Sequence, residues 1–280
     1  MKGILVTKKV DHKKAIINIK LHHQPKLNNP DMIAAWPGMG NVALGTAKYL
    51  RDKLDAELFG EIEPVNFFQF PGIIVKDDST IETPKFTILP KNKFYFWKNT
   101  GSGSDLIIFI SEAQSGGMEY EVARRVVEIG KMFGVNRIYT TAAFALPIKT
   151  NQASNVHAAA TSIELVDVLK QFNLTLMTDG SISGLNGFLL GIAKDKGIEG
   201  ICLLGEMPNY LTHIEYPKAS HAVLSILSKM LNIKIDLSEL LALAKYQEKE
   251  IKKYVKKIEE QMQQLQLQQA LEDEQSKTWH

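Results

Sequence analysis

Polar and glycine residues stand at the ends of apolar runs in this sequence, where side chains could bind a ligand or transfer a proton. The candidates are Gly38, Met39, Gly40, Asn41, Glu112 and Glu206. They follow the runs 32–36, 106–110 and 200–204. Because the carboxyl ends of parallel strands meet at one edge of a sheet, we expect these residues to line a single crevice. A second interpretation stays open, in which both glutamates cap helix N-termini and accept hydrogen bonds from loop amides.

The glycine turn also has the spacing of a cofactor fingerprint. Gly38, Gly40 and Ala43 match the pattern GxGxxA between a strand and a helix, which binds dinucleotides in some α/β folds. That fingerprint requires an acidic residue about 20 positions further on, at the end of a second strand. Asp55 and Glu57 lie near that distance, but the sequence around them predicts a helix end that leads into a short strand. We therefore expect no nicotinamide, flavin or other cofactor.

No other arrangement of residues predicts catalysis or a metal site. The segment 179–187 contains a glycine-rich turn, but its centre is Ile182, where a hydrolase elbow would carry a nucleophile. Cys202 lies in an apolar run, which predicts a buried and unreactive thiol. The seven histidines are scattered and show no ligand spacing. We therefore expect a protein that is not an enzyme and that binds no metal.

Composition narrows the range of partners and the compartment. Only four of the 33 basic residues are arginine, the side chain that grips phosphates and base edges, so the sequence does not favour nucleic acid. The single cysteine cannot form a disulfide within the chain, which favours a reducing compartment. No apolar run approaches the ~18 residues of a membrane span, and residues 1–14 hold no signal-peptide core. We therefore expect a cytoplasmic protein with no membrane partner.

Apolar runs alternate with helical patterns through most of the chain, which predicts an α/β fold. Continuous apolar strands of this kind are covered by helices on both faces. The sequence predicts strands at 15–19, 32–36, 106–110, 137–142 and 200–204, and helices at 42–54, 119–133, 161–172, 187–194 and 217–231. The proline-containing stretch 58–97 predicts an inserted antiparallel portion. The expected architecture is a three-layer α/β/α sandwich around a mainly parallel sheet.

The chain changes character at Asp236, which divides it into predicted units 1–235 and 236–280. Asp236 and Glu239 have the spacing of a capping box, and neither proline nor glycine follows them. Apolar residues then recur at alternating steps of four and three, which predicts a coiled-coil-like helix over 237–271, about 50 Å long, and a flexible tail. The stripe includes Leu241, Ile251, Val255, Ile258, Met262 and Leu265. Two interpretations remain open: the helix packs back on its own domain, or it projects as an oligomerisation or partner helix.

Four of these segments resemble the PAC2 family of archaeal and bacterial proteins, which are similar to proteasome-assembly chaperones. The segments are WPGMGNVA (36–43), FISEAQ (109–114), LLGEMPNY (203–210) and YPKAS (216–220). The resemblance extends over about residues 30–232, with the segments in the same order. It implies a phosphorylase- or hydrolase-like topology, homo-oligomers that we expect to contain three or more copies, and no accepted catalytic residues.

The resemblance also implies a function in protein assembly. The expected protein is a non-enzymatic chaperone-like factor that binds protein partners, with proteasome subunits among them. Some archaeal members end in a hydrophobic–tyrosine–any-residue tail that inserts between proteasome α-subunits, and the last three residues here are Thr278, Trp279 and His280. Trp279 is thus a candidate partner residue, although tryptophan replaces tyrosine and threonine replaces the hydrophobic residue. The alternative is a protein or enzyme that binds a small, nucleoside-type ligand in the crevice.

Overall fold

The computed structural model describes most of the chain. It covers residues 17–63, 74–76, 86–88, 90–172 and 174–277, with side chains except at 74–76, 86–88, 258–259 and 265–277. Within these ranges the strands are β1 Ile19–Leu21, β2 Asp31–Ala35, β3 Glu57–Ile62, β4 Ile74–Lys76, β5 Phe86–Ile88, β6 Asn92–Trp97, β7 Leu106–Ser111, β8 Arg137–Leu146, β9 Val156–Ala160, β10 Thr175–Leu176 and β11 Glu199–Pro208. The helices are α1 Val42–Lys53, α2 Glu119–Met132, α3 Ile163–Lys170, α4 Leu185–Asp195, α5 Pro217–Met230 and α6 Ser238–Lys277.

The middle of the main sheet consists of four parallel strands in the order β7, β2, β8 and β11. The longest ladder joins β8 to β11, and all ten residues of each strand are paired in it. Every residue of β7 is buried, and β2 is buried from Met32 onward. Strands covered on both faces need apolar residues at successive positions, which explains runs such as LIIFI.

Antiparallel pairing extends the sheet on both sides, so the sheet as a whole is mixed. On one side β6 pairs with β7, β3 with β6 and β1 with β3, all antiparallel. On the other side β9 runs antiparallel to β11, and β10 pairs parallel with β9. The two outermost strands, β1 and β10, are three and two residues long. β4 and β5 form a separate antiparallel pair.

Helices cover both faces of the nine-stranded sheet. α1, α3, α5 and α6 contribute residues to the apolar core on one face. α2 and α4 pack on the opposite face, beside an aromatic group that includes Trp36, Phe94 and Phe109. The predicted α/β fold, its three layers and its long C-terminal helix are thus confirmed.

The sequence places the central strands close to their observed positions but does not predict β9. Three of the five residues of β9 are alanine, which has a low strand preference. They form a strand because they pair with 201–205 of β11, far away in the sequence. Of the predicted strand 15–19, residues 15 and 16 lie outside the described residues, 17 and 18 are not part of a strand, and β1 begins only at Ile19. The stretch 58–97 contains the antiparallel strands β3 and β6, as expected.

The first half of α6 packs on the body of the protein. Leu240, Ala244 and Ile251 are buried in the core, and Val255 is the last residue of α6 packed against that core among the described side chains. The predicted stripe is displaced by one residue at its start, because Leu240 faces the core while Leu241 is 38% exposed. The helix reaches Lys277, beyond its predicted end. The first interpretation therefore holds for the first half of the helix, and a role of the rest in oligomerisation or partner binding stays a prediction.

Two neighbouring leucines test which face of α6 is buried. We expect Leu240→Ala to lower the free energy of unfolding by about 2–4 kcal/mol, because it leaves a cavity in the core. Leu241→Ala removes the same atoms from a partly exposed side chain and should cost less than about 1 kcal/mol. Urea denaturation at a fixed protein concentration measures both losses. Equal losses would mean that α6 meets the body through a different face.

Candidate functional site at the strand ends

The turn that joins β2 to α1 is pressed against the loop that follows β11. Gly40 has φ 60°, and its N–H donates to the Thr212 carbonyl at 2.9 Å. Its own carbonyl accepts from the Tyr216 N–H at 2.8 Å. A Cβ at Gly40 would lie 2.9 Å from the sulfur of Met207. Close approach of the protein's own chain therefore accounts for glycine at this position.

The other predicted residues of the turn have different surroundings. Asn41 has a left-handed backbone conformation (φ 47°), and its Nδ2 donates to the Glu215 carboxylate at 3.3 Å. Met39 is 42% exposed. Gly38 is extended, and a Cβ there would make an ordinary contact with Asn186 at 3.6 Å. Of the two glycines in the pattern, only Gly40 is required by its backbone.

Two amide side chains fasten the loops around this turn. Asn186 accepts from the Trp36 N–H at 2.9 Å through Oδ1 and donates to the Trp36 carbonyl at 3.1 Å through Nδ2. Gln114 donates through Nε2 to the Pro37 carbonyl and accepts from the Leu185 N–H at 3.3 Å. Asn186 is only 4% exposed, so it supplies hydrogen bonds to Trp36 where water does not reach.

These loops enclose an open cleft of about 500 Å³ at the carboxyl ends of the parallel strands. Residues 142–145 of β8 form one wall, and the loop 181–184 before α4 forms another. Gly38 and Met39 line the cleft, whereas Gly40 and Asn41 line a shallow hollow on the other side of the turn. The described residues that line the cleft are small, apolar or neutral, and none of them titrates. Its walls can hold a small molecule but carry no side chain for proton transfer.

Glu112 is tied to the start of β6 and does not line the cleft. Its Oε2 accepts from the Lys91 N–H at 3.0 Å, and its own N–H donates to the Lys91 carbonyl at 2.9 Å. These bonds correspond to the second interpretation of the sequence, in which the carboxylate accepts from a loop amide.

Glu206 lies near the end of β11, where it holds the segment that leads into β9. Its carboxylate accepts from the N–H and the Nδ2 of Asn155 at 3.2 and 2.9 Å, and it pairs with His157 Nε2 at 2.8 Å. Burial acts to raise the pKa of Glu206, but the bonds from His157 and Asn155 outweigh burial and hold the pKa below its ordinary value. The ring of Phe144, which lines the cleft, packs on His157 with centroids 4.6 Å apart.

The structure thus separates the two carboxylates from the cleft. Of the six candidates, Gly38 and Met39 line it, while Glu112 and Glu206 hold loops beside it. The strand ends place all six at one edge of the sheet, but the loop contacts decide which side chains face the opening. A ligand-binding role for these residues stays a prediction.

Cys202 and the described acidic and histidine side chains offer little else for chemistry. Cys202 is fully buried in β11, and burial raises the pKa of its thiol to about 12. A thiol that stays protonated at neutral pH is a poor nucleophile. Across the described ranges, no three His, Cys, Asp or Glu side chains are grouped to hold a metal ion. None of the helices in those ranges is both long and apolar enough to cross a bilayer.

Sequence reasoning missed the two amides that build the cleft. Gln114 stands two residues after Glu112 at the same strand end, so it carried the same positional signal as the glutamate. Asn186 occupies the first turn of α4, a helix whose other buried residues are apolar. A lone amide among apolar helix residues is a usable signal, because a buried amide must have hydrogen-bonding partners.

The candidate interface residues divide between the body and the remainder of α6. Ile251 is 9% exposed, and together with Val255 it packs against the core of its own chain. Met262 is 56% exposed. Outside the described side chains lie Ile258, Leu265 and Trp279. An interface role for these residues stays a prediction, and the structure shows that the body already covers Ile251.

The architecture and the strand-end segments define an α/β/α sandwich protein with an appended long helix. The sequence model of the PAC2 family matches residues 32–255. That range includes the turn at Gly40, the whole of β11 and the first half of α6. The chain therefore belongs to the PAC2 family.

Individual relatives agree with this assignment. An uncharacterized protein of Methanocaldococcus jannaschii is 36% identical over 252 residues, which cover 88% of this chain and 91% of that protein. Pyrococcus furiosus PbaB, an archaeal proteasome activator, has a crystal structure with a TM-score of 0.75 and 30% identity, covering 85% of this chain and 98% of PbaB. Pyrococcus furiosus PbaA, an archaeal homolog of proteasome-assembly chaperone, gives a TM-score of 0.68 at 24% identity, covering 90% of this chain and 97% of PbaA. The likeness to PbaA shows the fold alone.

The Glu206 cluster predicts a dependence of stability on pH. Because the pKa of Glu206 is lowered in the folded state, its bonds stabilise the fold above the ordinary value of 4.5, and this contribution is lost as the pH falls through the folded-state pKa. We expect Glu206→Gln to lower the free energy of unfolding by about 1–3 kcal/mol at pH 7 and by less at pH 3. Urea denaturation at both pH values measures the difference.

Glu57→Gln is the matched control, since Glu57 is an exposed carboxylate on β3. It should leave stability nearly unchanged at both pH values. A deficit for Glu206→Gln that is as large at pH 3 as at pH 7 would contradict the role of its ionised carboxylate.

Proposed function

We propose that this protein is a non-enzymatic, chaperone-like factor of the cytoplasm that forms homo-oligomers and binds protein partners. The observation that carries the proposal is the distal segment of α6, residues 256–277, which continues past the body. Every described side chain from 256 onward is exposed, including the apolar Met262. By helical period, Ile258, Met262 and Leu265 follow the face that is buried at Val255. A partner chain would cover this face where the body no longer does.

The strand-end cleft supports a role without catalysis. Its described lining residues contain no acid, base or nucleophile with a shifted pKa. The nearby carboxylates of Glu112 and Glu206 already accept hydrogen bonds from loop amides. These contacts stabilise the loops and leave partner binding to other surfaces.

Proteasome subunits are the partner class that we propose. The support is the relation to PbaB, an archaeal proteasome activator whose length is matched almost completely at 30% identity. A long helix that leaves the body is suited to reach a second protein.

Charges placed on the apolar face of the distal segment test this proposal. We expect the triple variant Ile258→Asp, Met262→Asp and Leu265→Asp to lower the mass of the oligomer. The same variant should weaken capture of archaeal proteasome α-subunits at least tenfold, because each buried aliphatic contributes about 1.5–3 kcal/mol. Light scattering after gel filtration gives the mass, and surface plasmon resonance gives the capture.

The control carries the same charges on polar positions of the same segment: Gln263→Asp, Gln264→Asp and Gln275→Asp. It should retain both mass and capture. Urea denaturation should show that neither triple variant alters the body. Unchanged mass and capture in the apolar triple variant would refute the proposed function.

A second function, the binding of a small nucleoside-type ligand, is favoured by the cleft volume of about 500 Å³, which is in the range of ligand pockets. If the cleft binds such a molecule, thermal shift with nucleosides, nucleotides and nicotinamide cofactors should raise the melting temperature. Ala145→Trp, which fills the cleft, should abolish the shift, whereas Ala193→Gly, on the buried face of α4 and outside the cleft lining, should not. No shift with any of these compounds would count against this function.

A further inference from the structure

The charges of α6 are divided along its length. Residues 245–257 contain six lysines and two glutamates, a net charge of +4. Residues 258–277 contain five acidic residues and one lysine, a net charge of −4. Both stretches belong to one continuous helix. One continuous helix cannot fold its two charged stretches onto each other, so the basic stretch can meet an acidic stretch of this kind only on another chain.

Contacts at the start of α6 show the direction in which it leaves the body. Tyr49 donates to the Asp236 carbonyl at 2.9 Å, and Lys53 pairs with Glu239 at 2.8 Å, both at the end of α1. α1 starts at the turn that follows β2 and runs away from it. The end of α1 therefore lies near the amino ends of the parallel strands, whereas the cleft lies at their carboxyl ends.

Further along, α6 reaches the edge where the strands end. Lys218, in the first turn of α5, pairs with Glu248 at 3.0 Å, and Gln247 donates to the Glu215 carbonyl. α5 begins just after the loop that packs on Gly40. The helix therefore runs along the body from the amino ends of the parallel strands to their carboxyl ends. The distal segment extends beyond the carboxyl ends.

An exposed apolar flank runs beside the face that packs on the body. Leu243 is 51% exposed and Tyr254 is 67% exposed, and eleven residues, about three helical turns, separate them. By helical period, Ile258 and Leu265, four and eleven residues after Tyr254, lie between this flank and the continuation of the face that is buried at Val255. Apolar positions thus continue from the basic stretch into the acidic stretch without a break in helical period.

We propose that the α6 helices of two copies pair antiparallel, crossing near Gln261. In this arrangement Ile258 of each copy meets Leu265 of the other. The lysines around Lys249 of each copy lie beside the acidic cluster 272–274 of the other. The inference rests on the homo-oligomer of the proposed function and names how its helices associate.

Charge decides between the two possible directions. In a parallel pair the two basic stretches would lie together, and so would the two acidic stretches, which places like charges side by side along the helices. In an antiparallel pair each basic stretch of +4 meets an acidic stretch of −4. The midpoint between Ile258 and Leu265 falls near residue 261. The midpoint between the two charged stretches falls near the same residue, so a single antiparallel register allows both the apolar contact and the charge pairing.

A second copy fits this flank better than nucleic acid does. The basic residues of 245–257 are all lysine, and Glu248 and Glu250 are interleaved with them. Lys252 and Lys253 already pair with these glutamates at 2.7 Å. Bidentate recognition of phosphate favours arginine, and carboxylates interleaved with the lysines repel a phosphate backbone. The complementary acidic stretch is present on the same helix of every copy.

Cysteine cross-linking in the full chain tests the direction of the pair. Cys202 is the single native cysteine and is buried, so an introduced surface cysteine reacts alone. Two chains with different tags carry Tyr254→Cys and Gln268→Cys, whose positions lie at equal distances on either side of Gln261. After mixing, subunit exchange and mild oxidation, the antiparallel pair should join the two tags in at least fivefold excess over joining of either variant to itself.

Lys194→Cys, an exposed position on α4, is the control for random collision and should give no cross-link above background. The triple variant Glu272→Lys, Asp273→Lys and Glu274→Lys should reduce the joined product at least threefold. Adding Lys245→Glu, Lys249→Glu and Lys253→Glu to every chain should restore the joined product, because the two stretches then carry opposite charges again, with their signs reversed.

The outcomes separate this inference from the proposed function. Self-joining of Tyr254→Cys without a mixed product would establish parallel helices and overturn the inference. The absence of any product, with oligomer mass and capture of α-subunits unchanged, would overturn the inference while the proposed function stands. A monomer that captures no α-subunit would instead refute the proposed function.

Discussion

The loops that leave the four central strands begin in a dry interior, where a backbone group without a partner costs about 1–3 kcal/mol. Asn186 supplies both hydrogen bonds for the backbone of Trp36, and the Glu206 carboxylate accepts from Asn155. These side chains already use their hydrogen bonds to hold the loops in place. At the end of the sheet where open α/β folds usually bind ligands, these contacts stabilise the loops, and the described lining of the cleft is neutral.

A single helix joins this stable body to an exposed segment, which we propose binds other chains. Up to Val255, α6 adds buried residues to the core and ion pairs to the surface. Past that residue the same helix carries an exposed Met262. The body thus fixes the direction of the helix, and the apolar and charged positions beyond it set what the helix can bind. Residues that stabilise the fold and residues that we propose to bind partners are consequently neighbours on one element.

Local pattern was sufficient for the central strands, because burial on both faces leaves continuous apolar runs in the sequence. It was insufficient where long-range pairing decides the structure, as for β9, which forms against β11. Period alone also could not choose between Leu240 and Leu241, since the choice depends on where the helix meets the body. The sequence also did not predict the direction of the Glu206 side chain, because that direction depends on the same long-range pairing of β9. Its partners, Asn155 and His157, belong to the unpredicted β9 and the residue before it.

The short outermost strands of the sheet have a consequence for a protein that associates with others. β1 has three residues and β10 has two, so within the part of the chain that the structure describes neither outermost strand presents a long row of unpaired peptide groups. A long bare border would recruit any extended polypeptide and seed fibrous aggregates. Borders this short give an extended polypeptide little template for β-addition. If the protein binds other chains as we propose, it can do so without seeding their aggregation at its own sheet.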